Sequence, residues 1–189
     1  MGLIKKSIAI VASALYYTSF SLVLLIFHPL QWASLKLGGY KAHKFVVDYF
    51  NLSVMSCLLL LGTRVKFISK HKIPKNKALI IVSNHQSMQD IAPISWYFRV
   101  FHPKFVTKIE LGKGIPSVSY NLHHGGSVLI DRKKPFKSIK AIKAFGIYIE
   151  KNKYAAVIFP EGTRSKNGVP KEFQTFGLLT YLNQCHLQL

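Results

Sequence analysis

The apolar positions of this chain are continuous in the first third and interrupted thereafter. Residues 8–27 contain no Asp, Glu, Lys or Arg, a length close to the ~20 residues that cross a bilayer core. Lys5 and Lys6 precede this run, His28-Pro29 ends it, and Trp32 follows where an interfacial aromatic would stand. A second run, residues 45–61, carries Asp48 and Asn51 near its start and then reads Val54-Met55-Ser56-Cys57-Leu58-Leu59-Leu60-Leu61. Between the runs, Lys36, Lys41 and Lys44 surround Gly38-Gly39, which reads as a turn. The pattern predicts two helices joined at the glycines. Lys5, Lys6, the middle lysines, and Arg64 with Lys66 all resist translocation. A two-span crossing would place the middle flank outside. The pattern therefore favours a helical hairpin embedded in one leaflet, with the rest of the chain on the cytoplasmic side. The first run is also long for a signal sequence, and no small-x-small cleavage site follows it cleanly.

From Arg64 the pattern shortens. Val65-Lys66-Phe67-Ile68 alternates as a strand would. A basic turn over residues 70–77 contains Pro74 and leads into an apolar strand over residues 78–83. A helix is expected from Ser87 or Asp90 to Phe98, then a short strand at Phe105-Val106. Gly112, Gly114 and Pro116 break the chain. A strand over residues 127–130, a helix over residues 136–150 and a strand over residues 155–159 complete the series. Phe136, Ile139, Ile142 and Phe145 are expected as the core face of that helix. The row Lys137, Lys140 and Lys143 beside it is a solvated face or a docking stripe. Strands alternating with helices predict an α/β fold, a mixed sheet with flanking helices behind the amino-terminal hairpin. No internal repeat interrupts this order.

Charge narrows the class of partner. Lys and Arg number 26 against 7 Asp and Glu, a formal charge of +19. Nucleic acid and an anionic membrane surface are the usual counterparts. The membrane surface is favoured and nucleic acid is not, because long apolar runs accompany the charge and no RNA-binding aromatic signature appears. Cys57 and Cys185 read as unpaired thiols in a reducing compartment. No metal is expected. His123 and His124 have no thiolate or carboxylate cluster beside them and are expected on a surface loop.

Two of the strand-like runs end in polar clusters. The first is Asn84-His85-Gln86-Ser87-Met88-Gln89-Asp90 and the second Phe159-Pro160-Glu161-Gly162-Thr163-Arg164-Ser165. Sites of open α/β folds form at the carboxyl ends of strands. One cluster offers a base and its orienter; the other suits an anionic, hydroxylated substrate. These blocks resemble the glycerolipid acyltransferases, the family of 1-acylglycerol-3-phosphate acyltransferases. The family's hallmarks N-H-x-x-x-x-D and F-P-E-G-T-R-S both stand here without a mismatch. Lys108-Ile109-Glu110-Leu111 is similar to its K-x-E-L element, and Gly126-Ser127-Val128-Leu129-Ile130-Asp131-Arg132 to its strand ending in Asp-Arg. The resemblance runs over residues 78–177. The family's later apolar strand with paired prolines and valines is missing after Gly177. The expectation is a membrane hairpin over residues 1–62 and an acyltransferase domain over residues 63–189, carboxy-terminally incomplete.

The resemblance implies acyl transfer from a thioester to an alcohol. His is the side chain whose ordinary pKa suits removal of the alcohol's proton. Asp90 would accept a hydrogen bond from His85 and support the imidazolium. Five positions apart, the two do not share a face of a regular helix, so Asp90 belongs in the first turn of a helix and His85 on the preceding loop. No Ser or Cys stands in a nucleophile elbow, so direct attack is expected. Arg132 and Arg164, with Lys108, are the candidates for an acceptor phosphate. Glu161 and Thr163 could bind acceptor hydroxyls, and Gly162 would let the backbone approach. The expected reaction acylates 1-acyl-glycerol-3-phosphate, a lysophospholipid acceptor, to phosphatidate. Acyl-CoA or acyl-carrier protein is the co-substrate and there is no resident cofactor. The alternatives are another amphiphilic acceptor, or a non-catalytic truncated membrane-binding relative.

Overall fold

The computed structural model describes residues 2–165 and 168–173. The stretch after Gly177, where a carboxy-terminal element was expected to be missing, lies outside them, as does Cys185. The first element, α1 (Leu3–Cys57), is broken at Gly39, whose φ of 64° and ψ of −160° lie outside the helical region. Glycine reaches such a conformation without steric penalty. The chain doubles back there. Tyr16 packs on Cys57 and Leu58, and the ring of Phe27 lies 5.7 Å from that of Phe50. These contacts between early and late residues place the two arms antiparallel. A 3-10 turn (Leu58–Leu61) ends the second arm, closed by Gly62 in the left-handed region. The turn expected at Gly38-Gly39 is present. The helix is long and apolar enough to cross a membrane by length and composition.

The expected strand at Val65-Lys66-Phe67-Ile68 does not form. Alternation alone supplies no ladder partner. Phe67 instead stacks on Tyr97 at 5.1 Å and meets Phe98 edge-on at 5.5 Å. Among the described residues four strands follow: β1 (Leu79–Val82), β2 (Lys104–Lys108), β3 (Val128–Ile130) and β4 (Ala155–Ile158). Their order is β1-β4-β2-β3, and all three pairings are parallel. This corrects the expectation of a mixed sheet for the described residues. Each connection carries a helix: α2 (Ile91–Tyr97), α3 (Val118–His124) and α4 (Pro135–Asn152). Crossovers of that kind return the chain in the same direction. All four carboxyl ends therefore share one edge.

The core lies where α4 covers the sheet. Ile142, Phe145, Ile149 and Ala156 are buried, with Ile80, Val106, Val128 and Ile130 packed on them. The central strand β4 has Ala155, Ala156 and Val157 fully enclosed, as expected for a strand covered on both faces. Phe136 was expected in this core and is 88% exposed. A three-residue spacing drifts off a 3.6-residue helix face. The buried line runs instead through Ser138, Ile142, Phe145 and Ile149. His123 and His124, expected on a loop, sit in the last turn of α3, where His123 Nε2 lies 2.8 Å from the Gly112 carbonyl oxygen.

The hairpin is tied to the body at both ends of the sheet. At the amino-terminal edge, Tyr40 follows the Gly39 break. Its hydroxyl accepts a hydrogen bond from Lys104 Nζ at 2.9 Å and contacts His102 Nδ1 at 2.9 Å. Lys104 is 4% exposed and lies over the rings of Tyr40 and Tyr154. Burial, followed by the nearby Lys44, lowers its pKa to about 7. Farther along, Ser117 Oγ donates to the Leu24 carbonyl at 2.6 Å and its N–H to His28 Nδ1 at 3.1 Å. Near the carboxyl edge, Gln89 Nε2 donates to the Tyr16 hydroxyl at 2.9 Å.

Candidate active site

The site begins where β1 and β4 run out side by side. Val82 is paired with Ile158, and Ser83 N–H still bonds the Ile158 carbonyl at 3.1 Å. The chain then leaves the sheet, and His85 stands on a loop. Ser87 caps the 3-10 turn Met88–Asp90 that leads into α2: its Oγ accepts from Gln89 N–H at 3.0 Å. Asp90 closes the reciprocal half of this capping box. One carboxylate oxygen of Asp90 accepts from Gln86 N–H at 2.8 Å, from Ser87 N–H at 2.9 Å and from His85 Nδ1 at 3.0 Å. Capping chemistry thus aims the acid at the imidazole. With Nδ1 donating, Nε2 is left as the acceptor. The His85 ring also stacks on Phe159, with centroids 4.2 Å apart and planes at 23°.

The second motif holds the first through the main chain. Glu161 is 2% exposed. Its Oε1 accepts from His85 N–H at 2.8 Å and its Oε2 from Lys171 N–H at 3.0 Å. These bonds, that of Lys171 first, hold its carboxyl below the usual range. Ser165 N–H returns a bond to the His85 carbonyl at 2.8 Å. Glu161, expected toward acceptor hydroxyls, thus directs both oxygens at backbone. Gly162 makes the turn after β4 with a φ of 67°, and its N–H bonds the Phe159 carbonyl at 3.0 Å. Thr163 and Arg164 follow on the exposed side of that turn.

The basic candidates stand along the same edge. Lys108 is exposed at the end of β2 and is paired in register with Ile130 of β3. Arg132 is exposed two residues beyond Ile130. Asp131 pairs with Lys134 at 3.6 Å rather than with Arg132. Strand order sets the spacing: the Glu161–Arg164 turn is one strand from His85, Lys108 two strands, and Arg132 three. At ~4.8 Å per strand, Arg132 starts ~14 Å across the edge. Sequence reasoning missed Phe159 as the partner of the imidazole and Tyr16 as the partner of Gln89. Both contacts join distant segments, and no local pattern announces them.

Comparison with known proteins bears on this geometry. Residues 64–183 match the family model "Acyltransferase". Over 94 residues the chain is 39% identical to a 1-acyl-sn-glycerol-3-phosphate acyltransferase of Helicobacter pylori, covering 48% of this chain and 37% of that protein. Over 108 residues it is 34% identical to the protein of the same name from Saccharomyces cerevisiae, covering 57% of this chain and 34% of that one. The matched stretch is therefore little more than a third of these relatives' length. The crystal structure of the 1-acyl-sn-glycerophosphate acyltransferase PlsC from Thermotoga maritima superposes with a TM-score of 0.75 at 23% identity. That superposition covers 95% of this chain and 71% of the other, and it establishes the shared fold.

Proposed function

The chain belongs to the acyltransferase family, and from that premise we propose that it moves an acyl chain from a thioester to the free hydroxyl of 1-acyl-glycerol-3-phosphate, giving phosphatidate. The observation that carries the reading is the His85–Asp90 contact at 3.0 Å, which leaves Nε2 open at the carboxyl edge of the sheet. The acceptor hydroxyl gives its proton to His85 Nε2 as its oxygen attacks the thioester carbonyl. Asp90 stabilises the imidazolium that forms. The tetrahedral intermediate collapses, and the imidazolium returns the proton to the departing thiolate. His85 and Asp90 are the catalytic pair in this scheme. Glu161 is a positioning residue that holds the His85 main chain. Arg132, Arg164 and Lys108 neutralise the acceptor phosphate. Thr163 offers a hydroxyl to the glycerol, and Gly162 allows close approach of the backbone.

Residues 1–62 form the membrane element of this proposal and residues 63–189 the catalytic domain, facing the cytoplasm. The exposed apolar side chains Ile4, Ile8, Val11, Leu15 and Leu59 support it. They lie at the end of the hairpin that reaches the catalytic loop through Tyr16 and Gln89. Burial of a leucine-sized side chain in lipid is worth about 1.5–3 kcal/mol, so a few of them hold the site at the lipid surface where the acceptor resides. The test is acyl transfer by the full chain in vesicles, with acyl-CoA and acyl-carrier protein as donors and 1-acyl-glycerol-3-phosphate as acceptor. Phosphatidate should form with release of one thiol per product. Acylation of glycerol-3-phosphate or a lyso-aminolipid instead would overturn the acceptor assignment. No transfer to any acceptor would make the chain a non-catalytic relative.

A further inference from the structure

A cleft of about 300 Å³ opens at the far end of the same edge, between the 3-10 turn after β2 and the first turns of α4. Ile109, Leu129, Ile130 and Ala141 line it with apolar groups, and Asp131, Lys134, Lys137 and Ser138 line it with polar ones. The catalytic scheme leaves these groups unused. Lys134 meets Asp131 at 3.6 Å while 62% exposed, an arrangement of little worth in water and open to exchange for a stronger anion. Lys137 has no ion-pair partner among the described residues. A cleft of this volume falls within the range that takes a small ligand, and apolar walls with a few placed polar groups are the usual form.

The dimensions indicate which ligand. The thioester sulfur must lie near His85, at the end of β1. The cleft lies at the end of β3, three strands away or ~14 Å. A pantetheine arm, from its sulfur to its phosphate, is a little longer than four extended peptide residues, ~15 Å, enough to span that distance. Its middle carries a dimethyl-bearing carbon and two amides, and its end carries a phosphate. We propose that this cleft is the subsite for the distal half of a phosphopantetheine thioester, with the phosphate on Lys134 and Lys137 and the dimethyl carbon against Ile109 and Ala141. The assignment rests on the thioester-donor reading and adds the position of the donor's arm. The same chemistry is presented by a nucleotide-bearing thioester and by a carrier protein.

The test is a donor series bearing one acyl chain: acyl-CoA, acyl-carrier protein, acyl-phosphopantetheine, acyl-pantetheine and the acyl thioester of N-acetylcysteamine. Each is measured as kcat/KM on the full chain in vesicles with a fixed acceptor. The expected result is a loss of about ten- to a hundredfold on removal of the phosphate, the scale of charge-assisted hydrogen bonds. In the Lys134→Ala, Lys137→Ala double variant, the ratio of acyl-phosphopantetheine to acyl-pantetheine should collapse toward one. Lys151→Ala, at the other end of α4, should keep the wild-type ratio. Collapse of the ratio for acyl-CoA alone, or for the carrier protein alone, would support the subsite and name its source. A wild-type chain that uses phosphorylated and unphosphorylated donors equally would overturn the subsite and leave the acyltransferase reading standing. A variant that loses both donors in equal proportion would do the same. Failure of every thioester, including the shortest, would overturn the donor reading itself, and this subsite with it.

Discussion

Asp90→Asn separates charge from shape at the catalytic pair. The wild-type carboxylate oxygen takes three N–H donors, from Gln86, Ser87 and His85. An asparagine carbonyl can keep the two backbone bonds, so the turn into α2 should persist. The negative charge 3.0 Å from Nδ1 disappears. Taking the charge centres of an imidazolium and a carboxylate as ~4 Å apart, their attraction is ~4 kcal/mol at an effective dielectric of ~20. That dielectric suits side chains that are 19% and 24% exposed. The charge on the imidazole exists only after proton transfer, so the loss falls on the transition state. It should lower kcat by about 10²–10³ with KM for the acceptor little changed. Thiol release from an acyl thioester, followed continuously in vesicles, measures both constants. Because Asp90 acts through His85, the charge has nothing to support once the imidazole is gone. Adding Asp90→Asn to His85→Ala should cost no more than His85→Ala alone. A loss below about tenfold would refute the reasoning, since it falls under the range for a working general base. Multiplying losses in the double variant would refute it equally.

Five further outcomes are expected. Glu161→Ala should reduce kcat on the order of a hundredfold, the scale of a misplaced catalytic group, with KM for the acceptor steady; a rise in that KM with kcat intact would return Glu161 to the acceptor. Arg132→Ala and Arg164→Ala should each raise KM for a phosphate-bearing acceptor by about one to two orders of magnitude, and an equal loss toward an acceptor without phosphate would remove them from the phosphate site. Lys104, at a folded pKa of about 7 against an ordinary 10.5, releases its proton earlier in the folded chain than in the unfolded one. The unfolded state therefore binds more protons between those values. Stability should rise with pH across that window by up to ~1.4 kcal/mol per pH unit; chemical denaturation of Lys104→Met that keeps the wild-type slope would refute the assignment. Membranes washed at ~1 M salt, where screening shortens electrostatic reach to ~3 Å, should retain the full chain and release a chain beginning at Arg64. A cysteine at Lys41, with the native cysteines replaced, should resist an impermeant thiol reagent added from outside; labelling there would exclude the one-leaflet hairpin.

Local patterns carried the elements whose information is local. The apolar runs behind β1, β3 and β4 and the long periodic stretch of α4 are legible because each depends on its own spacing and its flanking turn residues. The break at Gly39 is legible because few residues but glycine adopt its backbone angles. The His85–Asp90 pair is legible because a capping box is a contact between near neighbours. Alternation at Val65–Ile68 misled because a strand also needs an edge to pair with, and that segment found the rings of Tyr97 and Phe98 instead. Phe136 misled because steps of three drift off a 3.6-residue helix face, which leaves it exposed in the first turn of α4. α3 was hidden behind Gly112, Gly114 and Pro116, which mark a break without specifying the element beyond it. Strand order is not written in any segment. That β4 inserts between β1 and β2 brings Glu161 onto the His85 main chain, where its Oε1 accepts the His85 N–H. It also sets the distance from His85 to Arg132 and the Lys134–Lys137 cleft. Sequence spacing determines which groups a chain carries to a strand's end. Which ends become neighbours is decided by how the strands share one core, and that depends on the whole chain at once.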